Sequence, residues 1–90
     1  MRLSTTPQWL VDYKGLLDQD RKRVDAALKK LLENPSIPSL WFSKLRGQKD
    51  PAGRDIWYLR ASDSLRITCV READLVFLRR VGHHDIERTP

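Results

Sequence analysis

The chain has 90 residues, with 17 Lys and Arg against 12 Asp and Glu, a formal net charge of +5, and 40% hydrophobic against 32% charged residues. These values describe one compact globular domain over residues 1–90 with a thin core, and they exclude a disordered chain. No apolar run reaches the roughly 18–20 residues of a membrane span and no signal-peptide core follows Met1, while a lone cysteine, Cys69, excludes an internal disulfide framework and suits a reducing cytoplasm.

A short strand at Arg2–Ser4 is predicted to open the chain. Thr6-Pro7 then reads as an N-cap followed by proline at the first helical position, where the missing N–H costs nothing. Trp9, Leu10, Tyr13, Leu16 and Leu17 recur at helical spacing. Asp18 or Asp20 is expected to cap a second helix, in which Val24, Ala27, Leu28, Leu31 and Leu32 form the apolar face. Asn34-Pro35 ends it. So short a connection implies an antiparallel helical hairpin, with Arg21, Lys22, Arg23, Lys29 and Lys30 on its solvated side. Trp9 and Trp41 read as core or hairpin-anchoring residues.

Residues 35–53 hold three of the five prolines, with Gly47 and Gly53, and are predicted to be irregular. The period then changes to two. Asp55–Arg60, Leu65–Arg71 and Leu75–Val81 are β-branched or aromatic runs joined by hairpin-length links. In the middle run Leu65, Ile67 and Cys69 share one face, which is expected to cover the helices. Arg66, Thr68 and Val70 share the other. The predicted class is α+β, with a helical hairpin packed on one face of a small, mainly antiparallel sheet.

Lys44 to Arg80 carries nine basic and five acidic residues, and every basic residue after Lys49 is an arginine. Arginine's planar fork matches phosphate oxygens, which points to a phosphate-bearing partner; a merely solubilising basic surface is the alternative. Cys69, mid-strand on the apolar face, reads as a buried structural thiol. His83 and His84, followed by Asp85, are the two residues suited to proton transfer near neutrality. With no third histidine and no second cysteine, they do not make a closed zinc site. Arg66 projects from mid-sheet, either to pair with Asp63, Asp55 or Asp85 or to stabilise charge on a phosphoryl group. Tyr58 shares its strand face with Ile56 and Arg60 and is placed to stack a base or donate its hydroxyl. Trp57 and Leu59 alternate with it as core.

The order of a helical hairpin, Leu45-Arg46-Gly47 as a turn, Trp57-Tyr58-Leu59-Arg60, Leu65-Arg66-Ile67 and Val81-Gly82-His83-His84-Asp85 resembles the RelE/ParE superfamily of bacterial toxins over nearly the whole chain. The resemblance implies a type II toxin neutralised by a cognate antitoxin. In its RelE-like branch it implies a ribosome-dependent endoribonuclease that needs no metal or other cofactor. There the ribose 2′-hydroxyl of mRNA attacks the adjacent phosphate and leaves a 2′,3′-cyclic phosphate. Arg66 falls on the family's sheet arginine at the scissile phosphate, and His84 falls on the terminal position near the leaving oxygen, with His83 a secondary candidate. Tyr58, Arg60, Lys49, Arg54 and Arg80 are expected to contact RNA. The lysines of the prototype's strand are replaced by Ile56 and Tyr58, so the general base is open among His83, Asp85 and Lys49. The histidine-ended pattern fits the branch that uses histidine as acid. Two other functions compete: a ParE-like inhibitor of DNA gyrase, which needs no ribonuclease constellation, and a non-catalytic domain that binds nucleic acid or an antitoxin.

Overall fold

The computed structural model describes residues 1–34, 36 and 43–90. The elements in chain order are β1 (Arg2–Thr5), α1 (Pro7–Lys14), α2 (Asp18–Glu33), β2 (Ser43–Lys49), β3 (Asp55–Arg60), β4 (Leu65–Glu72), β5 (Leu75–His83) and a 3-10 helix (His84–Arg88). Thr6 caps α1 as its sequence predicts: the Trp9 N–H donates to Thr6 Oγ1 at 3.2 Å, and Pro7 occupies the first turn. Gly15 ends α1 after two turns, and that short length corrects the predicted apolar face. Trp9 is buried and Tyr13 and Leu16 pack on the core, whereas Leu10 and Leu17 stay exposed.

Neither Asp18 nor Asp20 caps α2. Leu17 holds the cap position without a side-chain bond, and both aspartates sit in the first turn, where they complement the positive end of the helix. Val24, Ala27 and Leu31 are buried and Leu28 packs beside them, but Leu32 is exposed. The Tyr13 hydroxyl donates to Asp25 Oδ1 at 2.6 Å and links the two helices. Trp41 lies outside the described residues.

The five strands form one sheet in the order β1-β5-β4-β3-β2. β1 runs parallel to β5 and every other pair is antiparallel. The helices cover one face, where Trp9, Val24, Ala27 and Leu31 meet Leu59, Leu65, Ile67, Cys69, Val76, Leu78 and Val81. β2 corrects the prediction of irregular structure before Lys49. Its register shifts between Lys44 and Lys49, and Gly47 takes φ +74 inside the strand, so Leu45-Arg46-Gly47 is a distorted edge strand and not a turn. The irregularity hides the period-two signal, and the charged Lys44, Arg46 and Lys49 protect the edge from further pairing.

β4 is the central strand, and every residue from Leu65 to Val70 is buried. Its second face is therefore covered too, by the chain that follows β5. Gly82 permits that cover, since a Cβ there would lie 2.8 Å from Ile86 Cγ2. Its role is close packing of the 3-10 helix against the sheet.

α1 is fixed to β5 through Asp12. Its carboxylate accepts from Arg80 Nε (3.0 Å), Gln8 Nε2 (2.9 Å) and the Val81 N–H (3.2 Å). Burial alone would raise the Asp12 pKa, but the bonds from Arg80, Gln8 and Val81 outweigh it and hold the carboxyl below its ordinary range. A depressed carboxyl stabilises the fold above its unfolded value near 3.9, and the contribution disappears as pH falls through the lower folded value. Asp12→Asn is expected to cost about 1–2 kcal/mol at pH 7 by urea denaturation. The difference from wild type should stay constant down to about pH 5 and shrink below about pH 4.

Candidate active site

Arg66, Arg60 and Tyr58 lie on the face of the sheet turned away from the helices. Residues that pair across strands share a face, so Arg60, Arg66 and Gly82 form one row and Tyr58 and Thr68 a neighbouring one. Arg66 is only 6% exposed. Its Nη1 lies within hydrogen-bond reach of three backbone carbonyls, Ser62 O (2.8 Å), Leu65 O (3.0 Å) and Asp63 O (3.2 Å). Ser62 shapes that carbonyl cradle, because its Oγ accepts from the Leu65 N–H at 3.2 Å. Among the described residues no carboxylate forms an ion pair with Arg66. Asp63 pairs instead with Arg60, and Asp55 with Lys49 and Lys44. The guanidinium is thus oriented without being neutralised.

Arg60 stands directly across from Arg66. Two like charges facing each other on neighbouring strands destabilise a sheet. The Arg60–Asp63 ion pair offsets part of that cost, and Arg66 has no such carboxylate among the described residues. Arg60 also borders a cleft of about 630 Å³ between α2 and the 61–64 turn, where Arg23 and Lys30 add positive charge.

The other sequence candidates separate by position. Lys49 pairs with Asp55, whereas Arg66 pairs with Arg60 at the other end of β3, roughly 17 Å along the strand. Arg54 sits near Lys49, bound to Asp50 and Glu72 and placed over the Phe77 ring at 5.5 Å. Arg80 is engaged with Asp12 and Thr89. Tyr58 is half-buried next to Thr68. His83 is the last residue of β5 and pairs with Leu65 of the helix-side core, so by register it leaves from the face opposite Arg66. His84 opens the 3-10 helix, which packs through Ile86 on the Arg66 side of the sheet, and Asp85 is exposed in that helix. The His84 side chain lies outside the described residues.

Thr68, placed on this face by the alternation of its strand, is joined there by Arg79, which sequence reasoning did not single out. β5 shifts register between the Thr68–Arg80 and Cys69–Leu78 pairs, which leaves Arg79 as an extra residue. Arg79 Nε and Thr68 Oγ1 both donate to the Pro90 carbonyl, each at 3.1 Å. A bulge of one residue leaves no mark in an alternating run, so nothing in the sequence signals it.

No family model and no curated protein matches the sequence. Solved structures do. The RelB–RelE antitoxin–toxin complex from Methanococcus jannaschii aligns with TM-score 0.68 and 19% identity over 90% of each chain. The DinJ–YafQ toxin–antitoxin complex of E. coli gives TM-score 0.69 and 16% identity over 92% of this chain and 91% of that one. The chain has the RelE-like fold. The intact E. coli RelBE toxin–antitoxin complex is also similar, with TM-score 0.65 and 24% identity over 90% and 93% of the two chains. In this RelE-like chain no described helix is long and apolar enough to cross a membrane. The described residues also hold no cluster of three or more His, Cys, Asp and Glu placed for a metal ion.

Cys69 stands apart from the site. It is fully buried in the helix-side core, and burial pushes its thiol up to about 12. The native protein should not react with a disulfide thiol reagent at pH 8, and labelling should follow the rate of global opening as denaturant is added. Fast labelling without denaturant would show that β4 is not held as described.

Proposed function

We propose that this chain is the toxin of a type II toxin–antitoxin pair and acts as a ribosome-dependent endoribonuclease on mRNA. The observation that carries this reading is Arg66: buried, oriented by three carbonyls, without a carboxylate partner, and facing a second arginine. Such a group is prepared for an anion that gains charge during reaction. The RelE-like fold and the toxin–antitoxin complexes among its structural neighbours support the same reading.

In the proposed reaction the ribose 2′-hydroxyl gives up its proton to solvent water as the 2′-oxygen attacks the adjacent phosphorus. The 5′-oxygen leaves, and the product is a 2′,3′-cyclic phosphate. Arg66 stabilises the added negative charge on the phosphoryl oxygens, and Arg60 keeps the local potential positive. His84 donates a proton to the leaving oxygen, a role supported by its backbone position in the 3-10 helix on the Arg66 side. Tyr58, on the same face, contacts the nucleotide. The partner that neutralises this activity is an antitoxin protein. Leu10, Val11, Leu17 and Leu32, exposed on and between the helices, supply apolar surface for it.

The test is induction of wild type, Arg66→Ala and His84→Ala in a bacterial host, with mRNA 5′ ends mapped on ribosomes. Wild type should cleave translated mRNA. Arg66→Ala should lower cleavage by roughly 10²–10³-fold and His84→Ala by roughly 10²–10⁴-fold. Intact mRNA together with collapsed DNA supercoiling under wild-type induction would replace this reading with gyrase inhibition. Undiminished cleavage by His84→Ala would remove the acid from the mechanism.

A further inference from the structure

Thr68 and Arg79 have no part in the site derived above, yet they converge on one oxygen. Thr68 is fully buried, and its hydroxyl donates to the Pro90 carbonyl at 3.1 Å. Arg79 Nε donates to the same oxygen at 3.1 Å. Beside them Arg80 Nη1 donates to Thr89 Oγ1 at 3.1 Å and to Thr89 O at 3.3 Å. Three neighbouring sheet side chains thus present donors, and the Thr89–Pro90 segment supplies only acceptor oxygens to them. This is the pattern in which a sheet surface meets the non-bridging oxygens of a phosphate.

The segment also divides a groove. On one side is a cleft of about 430 Å³ lined by Lys49, Asp50, Ile56, Arg79 and Arg88, with Asp50 paired to Arg54; on the other is one of about 440 Å³ lined by Thr6, Gln8, Arg79 and Arg80. Arg79, Thr89 and Pro90 are walls of both. With the segment lifted, the two clefts become one basic channel. Thr68 lies two residues from Arg66 on the same face of β4, roughly 7 Å along the strand.

We propose that Thr68 and Arg79 form a second phosphate-binding position for single-stranded RNA next to Arg66, and that the Thr89–Pro90 segment covers it in the free protein. This rests on the ribonuclease reading and adds to it the way the strand is held. RNA entry displaces the Pro90 oxygen and puts a phosphate oxygen in its place. Arg80 keeps its bonds to Asp12 and stays in the channel wall.

The probe is a 2′-O-methyl single-stranded oligoribonucleotide, which lacks the attacking hydroxyl, titrated into the full chain over a range of salt. Arg79→Gln should reduce the slope of log affinity against log salt by about 0.7, the value for one single-strand phosphate contact. Thr68→Val should weaken binding about three- to tenfold with little change of slope, and Thr68→Ser should restore it. In the unmodified chain, amide relaxation at Thr89 should change from an order parameter of about 0.85 to below about 0.6 as RNA saturates the protein. An unchanged slope in Arg79→Gln, or a Thr89 amide that stays rigid in the complex, overturns the proposal. Arg66→Gln separates the two readings. If it weakens RNA binding while Arg79→Gln does not, only the second position is lost. If neither variant affects binding, or the unmodified chain does not bind, the second position is lost, and the ribonuclease reading is decided separately by cleavage on ribosomes.

Discussion

The enclosure of β4 on both faces is the constraint on which the rest of the molecule depends. A five-stranded sheet with helices on one side needs apolar residues on that side only, and Leu65, Ile67 and Cys69 meet that need. Arg66, Thr68 and Val70 are buried as well. Burying a hydroxyl and a guanidinium is tolerable only if their donors are satisfied. The chain meets this with its own backbone, using carbonyls of the 61–64 turn for Arg66 and the Pro90 carbonyl for Thr68. The path of the chain after β5 is therefore set by polar groups in the centre of the sheet, and Gly82 supplies the space for it.

Electrostatics then divides the arginines by what they touch. Arg80 is matched to Asp12 and joins α1 to β5, while Arg54 is matched to Asp50 and Glu72 and stabilises the end of the sheet remote from Arg66. These are structural ties between charged groups at least partly withdrawn from water. Arg66 differs because carbonyl oxygens fix its direction without cancelling its charge. It lies across from Arg60, whose own charge is offset by Asp63. A net charge of +5 is thus a poor guide to function, and the identity of each arginine's partner a better one.

Much of the fold was legible in the residues. The Thr6-Pro7 cap, the Val24–Ala27–Leu31 stripe and the strands over Asp55–Arg60 and Leu65–Val70 are local signals that appear as predicted, but Ile56 and the second face of Leu65–Val70 are buried as well, which the alternation does not foretell. β2 was not legible, because an edge strand bent at Gly47 and rich in lysine and arginine has no alternating apolar face to reveal it. Leu10, Leu17 and Leu32 fit a helical pattern but lie beyond the reach of the thin core. The candidate site was legible in part. Arg66 was identified by a cation alternating with Leu65 and Ile67, whereas Arg79 was hidden by a bulge and the backbone cradle of Arg66 has no side-chain signature.

The sequence by itself determined the class of the fold, the helix-side core and the central arginine. These follow from period, capping and hydrophobicity, which act between near neighbours in the chain. Tertiary structure alone decided that Arg66 faces Arg60 without a carboxylate, and that His83 leaves from the other face. It also decided that Lys49 lies at the far end of the sheet and that Thr68 and Arg79 meet at one oxygen. Those outcomes depend on strand register, on a one-residue bulge and on the return of residues 84–90 across the sheet. Each brings together groups separated along the chain, and no local pattern encodes their distance.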